Sequence, residues 1–377
     1  MTWFTIIMIG IAAATLFALL FTTRYLFAGR TLRRVRIFML LFDIFGMGWF
    51  IVRATLYHLI SGPALVIETI IIGFMTQIIC TALVLLAIVL RFCWRWMMAV
   101  PVDESRRRLL VHASVYPAAA LGLSLYGGLW ERQAVVERDF TIPVKGLGAG
   151  DGYRLAQISD VHLGSFFSVA ELDTLLSKVA AQRPDLLAVT GDLFDDVTQN
   201  EEAAKILEKY VDAFPDGIWF CFGNHEHFRG IRTIRQYLAR THVQVLVNEN
   251  RQVPGKNLWL VGVDYPMDRE HFALQRKAYM KEACEGLPEH VPTVLLGHHP
   301  ECIDDGAEQG IALTLTGHTH GSQIGLFGKP LFPVFKYTRG MVKIGDSYGY
   351  VHSGNGSWFP FRLGCPPEIA YFTLKNA

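Results

Sequence analysis

Hydrophobic residues follow two different patterns along the chain, and the change between them lies near Trp130. Before this point, long apolar runs alternate with short segments rich in arginine. After it, apolar runs of four to seven residues alternate with stretches in which apolar residues recur every three or four positions. The first pattern is typical of membrane spans, and the second is typical of strands and amphipathic helices. The sequence therefore predicts a membrane region followed by a globular α/β domain.

Four segments of residues 1–130 are candidate transmembrane helices, which we place at Trp3–Phe21, Ile37–Ile60, Glu68–Leu90 and Leu109–Trp130. The first is an uninterrupted apolar run of 19 residues. Because no basic segment precedes it and further apolar runs follow, we interpret it as a span and not as a cleaved signal peptide. Polar residues in or near the spans leave several interpretations open: a transport pathway, a pair inside the membrane, or residues at the membrane interface. These residues are Asp43, Arg53, His58 and Glu68.

Arginines indicate the orientation of this region. Residues 1–130 contain 11 arginines, no lysine and four acidic residues, a formal charge of +7. Ten of the arginines lie between Arg24 and Arg36 or between Arg91 and Arg108, after the first and third spans. Both segments are cytoplasmic under the positive-inside rule. Four crossings then place the domain after Trp130 outside the cytoplasm, so we expect a multi-pass protein of the cell membrane with an extracytoplasmic globular domain.

Composition excludes several classes of protein. The chain has 377 residues, of which 51% are hydrophobic and 18% charged, and its mean hydropathy is +0.28. These values rule out a disordered chain, a disulfide-stabilised miniprotein and a single soluble domain. Residues 131–377 hold 24 basic and 30 acidic side chains, a formal charge of −6. This acidic balance, with no basic stripe, argues against nucleic acid as a partner.

The second region alternates strands and helices. After a connector at residues 131–152, the domain at 153–377 begins with a strand, and Ser168 and Glu171 form the capping box of its first helix. Helices are predicted at Ser168–Gln182, Asn200–Ala213 and Ile231–Arg240. Strands are predicted at Tyr153–Ser159, Leu186–Thr190, Ile218–Phe222, Val243–Val247, Leu258–Val263, Thr293–Leu296, Ala312–Thr316, Gly349–His352 and Ile369–Leu374. This order indicates a layered α/β domain.

Five polar motifs follow predicted strands, and they carry the candidate chemistry. They are Asp160-Val-His162, Gly191-Asp192-Leu-Phe-Asp195, Gly223-Asn224-His225-Glu226, Gly297-His298-His299-Pro300 and Gly317-His318-Thr-His320. Ligand sites of α/β proteins lie at the carboxyl ends of sheet strands. One histidine after a strand is usually a structural residue, but five such motifs in order favour a metal site. Carboxylates and imidazoles suit Mn, Zn or Fe, and we interpret each preceding glycine as allowing a sharp backbone turn.

The motifs resemble those of the calcineurin-like metallophosphoesterase superfamily, which are D-x-H, G-D-x-x-D, G-N-H-E/D, an isolated His and G-H-x-H. Within it, the chain looks most like the membrane-linked YkuE-like branch. The resemblance covers Tyr153 to Leu374, with Ser322 where members commonly have a second glycine. It implies a four-layer α/β/β/α sandwich, here preceded by a four-helix transmembrane region.

The resemblance further implies a dinuclear centre with two divalent metal ions, Mn, Zn or Fe. It assigns Asp160, His162, Asp192 and His320 to the first ion, and Asp192, Asn224, His298 and His318 to the second. Asp192 would bridge the ions and His225 would stabilise or protonate the leaving oxygen, so these two are the expected catalytic residues. Asp195 and Glu226 are expected to orient imidazoles. The roles of His227 and His299 stay open.

The expected activity is hydrolysis of a phosphomonoester, phosphodiester or pyrophosphate bond. Apolar residues near the motifs fit a lipid or lipid-linked substrate at the membrane, or they pack a long loop onto the core, and the sequence leaves both open. These residues are Phe166, Phe167, Ile324, Leu326, Phe327, Leu331, Phe332, Val334, Phe335, Trp358, Phe359 and Phe361. Alternatives are a UDP-2,3-diacylglucosamine pyrophosphatase of lipid A synthesis, or a membrane sensor that binds metal without catalysis. The oligomeric state stays open.

Overall fold

The computed structural model describes residues 3–55, 64–98, 115–164, 166–357 and 359–377. The chain forms two compact units, Met1–Trp130 and Glu131–Ala377. The first unit is helical, with α1 (Trp3–Leu26), α2 (Gly29–Thr55), α3 (Ala64–Met98) and α4 (Val115–Leu125), followed by a π-helical turn at Tyr126–Trp130. Its side chains belong to long apolar runs, which accounts for the exclusively helical structure described there.

A four-span membrane region is not confirmed by this unit. Within the described residues, one stretch is long and apolar enough to cross a membrane, Leu65–Leu90 of α3, and a shorter apolar stretch covers Ala13–Leu26. Helix α2 begins with several arginines, and the 11 residues of α4 extend only about 16 Å. Residues 56–60 and 109–114, which belong to two predicted spans, lie outside the described residues, as do His58 and Arg106 to Arg108.

The acidic residue of the second predicted span is paired. Asp43 of α2 accepts a hydrogen bond of 2.8 Å from Nε2 of Gln77 on α3, and both side chains are buried. A hydrogen bond from a donor offsets part of the free-energy cost of burying a carboxylate. This contact favours a buried pair over a transport pathway.

The globular unit is built on two six-stranded sheets. In spatial order, the first contains β1 (Val136–Val144), β14 (Glu368–Asn376), β2 (Arg154–Ile158), β3 (Leu186–Thr190), β4 (Ile218–Cys221) and β5 (Gln244–Val245). The second contains β12 (Gly340–Ile344), β13 (Ser347–Val351), β9 (Leu313–Thr316), β8 (Thr293–Leu296), β7 (Trp259–Gly262) and β6 (Glu249–Gln252). Strands β2 to β5 are parallel, as are β7, β8, β9 and β13.

Six helices and a small hairpin complete this unit. The helices are α5 (Val169–Ala181), α6 (Asn200–Tyr210), α7 (Asn224–Phe228), α8 (Ile231–Leu238), α9 (Phe272–Ala283) and α10 (Cys302–Glu308). The hairpin joins β10 (Gly325–Leu326) to β11 (Lys329–Pro330). The predicted capping box is confirmed, because Ser168 Oγ accepts from the Glu171 amide and the Glu171 carboxylate accepts from the Ser168 amide.

The core lies in three layers because alternate strand residues face opposite ways. Leu187 and Val189 of β3 pack against helices α5, α6 and α8, whereas Leu186 and Ala188 belong to the cluster between the two sheets. A third cluster packs β7 and β8 against α9 and α10. The order of layers is helix, sheet, sheet, helix, and the predicted α/β class is confirmed.

One strand lies where the sequence suggests a connector. Val136–Val144 forms β1, which pairs in parallel with β14 along its whole length. Pro143 favours the connector interpretation, since proline cannot donate to a ladder. β1 lies at the edge of the sheet, where the backbone groups on its outer side have no neighbouring strand to pair with. A proline is therefore tolerated there. The strands β6, β10, β11 and β12 and the helices α7, α9 and α10 were also not predicted.

Candidate metal centre

All five polar motifs meet at one place in the globular unit. Strands β2, β3 and β4 of the first sheet and β8 and β9 of the second end beside one another, and each is followed by its motif. The predicted ligand atoms form three overlapping groups within which all atoms lie within 4.8 Å of each other. These groups are Asp160–His162–His320, His162–Asp192–His225 and Asp192–His298–His318. The structure therefore brings six of the seven predicted metal ligands, together with His225, into mutual reach.

Distances divide the donor atoms into two halves that share Asp192. In the first half, His162 Nε2 lies 3.0 Å from His320 Nε2, which lies 3.5 Å from Asp160 Oδ1. In the second, His298 Nε2 lies 3.1 Å from Asp192 Oδ2 and 3.2 Å from His318 Nδ1. Oδ2 of Asp192 is also 3.8 Å from His162 Nε2. Asp192 thus stands between the two halves.

Asn224, the seventh predicted ligand, faces the same site. It is the first residue of α7 and lines the cavity with Asp192. Its Oδ1 atom is buried and has no hydrogen-bond partner within the described part of the chain. A buried amide oxygen without a donor costs about 1–3 kcal/mol. A cation beside this oxygen would remove that cost.

Backbone strain is concentrated on the ligand residues. Five of the seven have a positive φ, at Asp160 (51°), His162 (50°), Asp192 (55°), His318 (73°) and His320 (50°). Non-glycine residues avoid this left-handed region, and each such residue costs on the order of 1–3 kcal/mol. The strands end and turn at these positions, which directs the side chains into the site. The surrounding fold stabilises a geometry that the local sequence disfavours.

Two of the glycines in the motifs allow neighbouring side chains to lie close to the backbone and do not form sharp turns. Only Gly191 among the glycines preceding Asp192, Asn224 and His318 has a positive φ. A Cβ at Gly223 would overlap Asp192 Oδ1, and a Cβ at Gly317 would overlap Ser159 Oγ and Asp160 Oδ2. The expectation that each glycine permits a sharp turn is therefore wrong for Gly223 and Gly317. Both leave room for a carboxylate.

Replacing Gly317 tests this explanation. We expect Gly317→Ala to displace the Asp160 carboxylate and to lower phosphoesterase turnover about 10–100-fold, as for other changes that misplace a metal ligand. Bound metal, measured by elemental analysis, should fall in parallel. Gly164→Ala is the matched control, because the added methyl would make only ordinary contacts there. Full activity of Gly317→Ala would contradict the close-approach argument.

Asp195 orients two imidazoles, as expected. Its Oδ2 lies 3.2 Å from His162 Nδ1, its Oδ1 lies 2.7 Å from His225 Nδ1, and Arg229 Nε donates to Oδ1 at 2.7 Å. Burial alone would raise the pKa of Asp195, but the hydrogen bonds from the two histidines hold it well below the usual range. Because the contact with Asp195 places the proton of His162 on Nδ1, Nε2 of His162 keeps a free lone pair for a metal ion.

His298 is fixed in the same way by a backbone carbonyl. Its Nδ1 lies 2.7 Å from the Thr190 carbonyl oxygen, so Nδ1 carries a proton and Nε2 faces Asp192. Burial would lower the pKa of His298, but the carboxylates of Asp192 and Asp160 raise it to about 10. At His318 and His320, burial and neighbouring positive groups lower the pKa well below the ordinary value. The carboxylates therefore favour the protonated form of His298, whereas burial favours the neutral forms of His318 and His320.

Glu226 does not orient an imidazole. Its carboxylate is fully buried and accepts hydrogen bonds from four backbone amides, those of Asp192, Leu193, Phe194 and Gly223, at 2.8–3.0 Å. These amides belong to the turns after β3 and β4. Glu226 therefore fixes the two loops that carry Asp192 and Asn224 relative to each other.

His225 lines the cavity next to Asn224. Its amide donates to Asp192 Oδ1 at 2.8 Å, and its ring stands edge-on to that of His162, with centroids 4.4 Å apart. Burial would lower the pKa of His225, but the charge of Asp192 and the hydrogen bond with Asp195 raise it above the ordinary value. His225 therefore holds its proton more tightly than a free histidine.

The two remaining histidines of the motifs are structural. His227 Nε2 lies 2.8 Å from Asp264 Oδ1, away from the cavity lining. His299 is buried among the rings of Phe272, Tyr265 and Phe335, and burial together with Arg276 lowers its pKa to about 3. Neither belongs to the three ligand groups.

Several supporting residues were missed by sequence reasoning. Ser159 Oγ donates to Asp160 Oδ2 at 2.6 Å, and the Ser159 amide donates to Asn355 Oδ1 at 2.9 Å. The guanidinium of Arg362 is fully buried and donates to the carbonyl oxygens of Ser353 and Cys365. Asn355 stands in a Gly-Asn-Gly segment four residues after β13, so a sixth polar motif after a strand was available as a signal.

A cavity of about 260 Å³ opens over the ligands, and one wall of it is apolar. The polar side contains His162, Asp192, Asn224, His225, His318 and His320, and the apolar wall contains Phe332, Val334, Phe335 and Phe359. Phe166 and Phe167 do not line it and border a separate cavity of about 200 Å³. Trp358 lies outside the described residues.

The donor set fits divalent metal ions. Carboxylate oxygens, an amide oxygen and imidazole nitrogens converge at two adjacent places, one donor of the set is orphaned, and two pairs of imidazole nitrogens face each other. Facing nitrogen lone pairs repel unless a proton or a cation lies between them. Such nitrogen and oxygen ligands suit Zn, Mn or Fe. The residues present can therefore hold divalent ions.

Comparison with known proteins agrees with this chemistry. Residues 153–322 match the family model described as calcineurin-like phosphoesterase. The chain is 29% identical over 290 residues to the uncharacterized metallophosphoesterase YkuE of Bacillus subtilis, covering 72% of this chain and 98% of YkuE. It is 28% identical over 270 residues to a transmembrane protein with metallophosphoesterase domain of Danio rerio, covering 68% and 61%. It is 28% identical over 233 residues to the phosphodiesterase YaeI of Escherichia coli, covering 59% and 82%. The chain spans about 60% of the length of several curated relatives that it matches.

Proposed function

Because the chain carries a calcineurin-like metallophosphoesterase domain and is a metal-dependent phosphoesterase, we propose that it hydrolyses phosphate esters or anhydrides of lipids at a membrane, using two divalent metal ions. The lipid class, the number of ions and the residue roles belong to the proposal. The observation that carries it is that Phe332, Val334 and Phe335 line the same cavity as the candidate ligands.

We assign the ligands to the two ions according to the two groups of nearby donor atoms that share Asp192. Asp160, His162 and His320 hold the first ion, and Asn224, His298 and His318 hold the second, with Asp192 shared. When bound, the ions would lower the pKa of water and stabilise negative charge on the phosphoryl oxygens. The shared position of Asp192 and the orphaned oxygen of Asn224 support this division.

His225 is the residue we assign to the leaving group. It lines the cavity, and its Nδ1 is tied to Asp195, so Nε2 is the nitrogen left to serve the leaving oxygen. Asp195 and Arg229 hold the ring in this orientation. The proton that stabilises a leaving alkoxide must come from such a positioned group.

A substitution at His225 isolates this role. We expect His225→Gln to lower kcat about 100-fold on an ester with a poorly departing alkoxide, because the general acid is lost. On p-nitrophenyl esters, whose leaving group departs without a proton, the loss should be far smaller. Bound metal should stay unchanged. An equal loss on both kinds of ester would contradict the proton-donor assignment.

The lipid class rests on the apolar wall and on the membrane helix. A phosphate group in the polar half of the cavity would leave the adjoining part of the substrate against Phe332, Val334, Phe335 and Phe359. Apolar side chains at a cavity mouth favour an apolar substrate portion. Leu65–Leu90 of α3 and the Danio rerio relative described as a transmembrane protein support placement at a membrane.

A hydrolysis panel tests the proposed function. The full chain, loaded with Mn, is assayed on p-nitrophenyl phosphate, bis-p-nitrophenyl phosphate, phosphatidic acid and an isoprenoid pyrophosphate, with and without a chelator. We expect turnover to depend on the metal. We also expect a lower KM for the lipids than for soluble esters of the same bond type. Metal-loaded protein that prefers soluble esters would overturn the lipid assignment, and turnover that survives chelation would overturn the metal assignment.

We also propose a multi-pass arrangement with the catalytic unit outside the cytoplasm. Arginines after the first and third apolar segments support it through the positive-inside rule. We fuse a reporter after Ala377 and choose one that is active only outside the cytoplasm. This reporter should be active. Signal from a cytoplasmic reporter instead would overturn this orientation and favour a substrate on the cytoplasmic face, such as UDP-2,3-diacylglucosamine.

A further inference from the structure

An exposed apolar loop borders the metal-site cavity. We call residues 324–335 the apical loop; it contains the hairpin of β10 and β11 and runs directly into the cavity wall. Five of its apolar side chains are exposed. They are Leu326 (55%), Phe327 (96%), Leu331 (49%), Phe332 (61%) and Val334 (82%). Isolated exposed apolar residues are common, but five within nine positions of one loop are a concentration that favours a binding role.

The tip of the apical loop is also conformationally costly. Phe327 and Gly328 are the two central residues of the hairpin, and both have a positive φ, 51° and 77°. Such turns favour Asn, Asp or Gly at the first central position, and a bulky aromatic residue there is strained. An aromatic ring that is almost fully exposed gains no packing energy in return. The strained backbone and the unpacked ring of Phe327 both disfavour folding. Such a residue is expected where its side chain binds a partner.

Charge around the apical loop identifies the partner. From Gly321 to Gly345 the chain has four basic residues and no acidic one, although residues 131–377 as a whole carry a formal charge of −6. The basic residues are Lys329, Lys336, Arg339 and Lys343, of which Lys336 forms an ion pair with Asp304 at 2.8 Å. Lys329 lies within the hairpin itself and is exposed. Aromatic and aliphatic side chains with basic neighbours are the composition of a segment that enters the interface of an anionic bilayer.

We propose that the apical loop inserts into the lipid interface and guides a lipid phosphate from the bilayer into the cavity. The inference deepens the proposed function and rests on it for the identity of the substrate. Phe332 and Val334 are exposed residues of the apical loop and also line the cavity, so the loop contributes apolar side chains both to the protein surface and to the cavity that holds the ligands. A lipid whose acyl chains follow this surface keeps them out of water while its phosphate reaches the polar half. The partner is the bilayer, and not a protein or a second copy of the chain.

Insertion is measured directly by a fluorescent label on the loop. The full chain is reconstituted into vesicles of phosphatidylcholine and phosphatidylglycerol, in a background with Cys80, Cys93 and Cys284 changed to alanine. A nitrobenzoxadiazole label is attached to Phe327→Cys, and nitroxides on the lipid acyl chains serve as quenchers. We expect a blue-shifted emission and strong quenching, because interfacial segments lie about 5–10 Å into the headgroup and acyl boundary.

Leu274→Cys provides the matched control. Leu274 is a large apolar residue of α9 with 69% exposure that lies outside the apical loop and the cavity lining. Its label should stay in water and escape quenching. If the label at position 327 is quenched no more than the one at 274, the insertion proposal is overturned. A blue shift without lipid quenching would also overturn it, since it would place the loop against protein.

A kinetic split provides the second test and separates the two proposals. We expect Phe327→Ser to raise KM for phosphatidic acid in the vesicles about tenfold, corresponding to the loss of part of one buried aromatic side chain. Turnover of bis-p-nitrophenyl phosphate and the rate at saturating lipid should not change, and Leu274→Ser should change neither. Unchanged KM for the lipid overturns the guiding role. Absence of any phosphoesterase turnover in the parent would instead overturn the proposed function, while the label experiment would still decide insertion.

Discussion

Asp192→Asn is expected to abolish most of the phosphoesterase activity, with a loss of about 1,000-fold or more in kcat/KM. Asp192 Oδ2 lies near nitrogens of both halves of the site, at 3.1 Å from His298 Nε2 and 3.8 Å from His162 Nε2. The substitution replaces a charged oxygen by an amide in a fully buried place between two proposed cations. Loss of several kcal/mol of charge stabilisation corresponds to this factor, at about 1.4 kcal/mol for each tenfold.

Metal content distinguishes this explanation from simple misfolding. Asp192→Asn should lose bound metal in elemental analysis while its melting temperature without metal stays close to that of the parent protein. The neighbouring substitution Asp196→Asn is the matched control, because Asp196 accepts hydrogen bonds from Thr198 and Gln199 and lies outside the ligand groups. Turnover that survives Asp192→Asn would contradict the shared role of this residue.

The second large effect is expected on stability, for Glu226→Ala. The substitution leaves four buried backbone amides without their acceptor, those of Asp192, Leu193, Phe194 and Gly223. Each unsatisfied buried group costs about 1–3 kcal/mol, and partial relaxation reduces the sum to about 3–5 kcal/mol. For a unit of this size, the melting temperature should fall by about 10 °C. Scanning fluorimetry of the full chain in detergent measures it.

Glu171→Ala is the control for this second prediction. Glu171 is also a carboxylate that accepts a backbone amide, that of Ser168, but it does so at the exposed start of a helix. Water replaces the lost acceptor there, so the cost should be about 1 kcal/mol or less. Equal shifts for the two variants would show that the loops after β3 and β4 do not depend on Glu226.

Local sequence was sufficient for the α/β class, the main parallel strands and the candidate ligands. Leu186–Thr190 and Thr293–Leu296 are strands with the predicted bounds, because short, nearly continuous apolar runs are typical of parallel strands that are buried on both faces. The ligand residues follow such strands directly. Their places at one edge of the domain therefore follow from the parallel order of the strands.

Interpretations that depended on distant residues could not be settled in the same way. The role of Glu226 depends on amides that lie more than 30 residues earlier in the chain, which no local pattern reveals. The helical unit also differs from its prediction. The apolar runs predicted four membrane spans, whereas one stretch of the described residues is long and apolar enough to cross a membrane. Residues 56–60 and 109–114 of the second and fourth predicted spans lie outside the described residues, and the described α4 has only 11 residues.

The aromatic residues after the last motif show most clearly what each level decides. Sequence alone indicated an acidic α/β domain with the motifs of metallophosphoesterases and a set of candidate ligands, because those residues are adjacent to their strands. It left two roles open for the apolar residues that follow, and the tertiary structure divides them: Phe361 is fully buried in the core, whereas Phe327 and Phe332 are exposed. Hydropathy is the same for all three residues. Only the packing of the chain around them fixes which rings the core takes up and which remain on the surface for a partner.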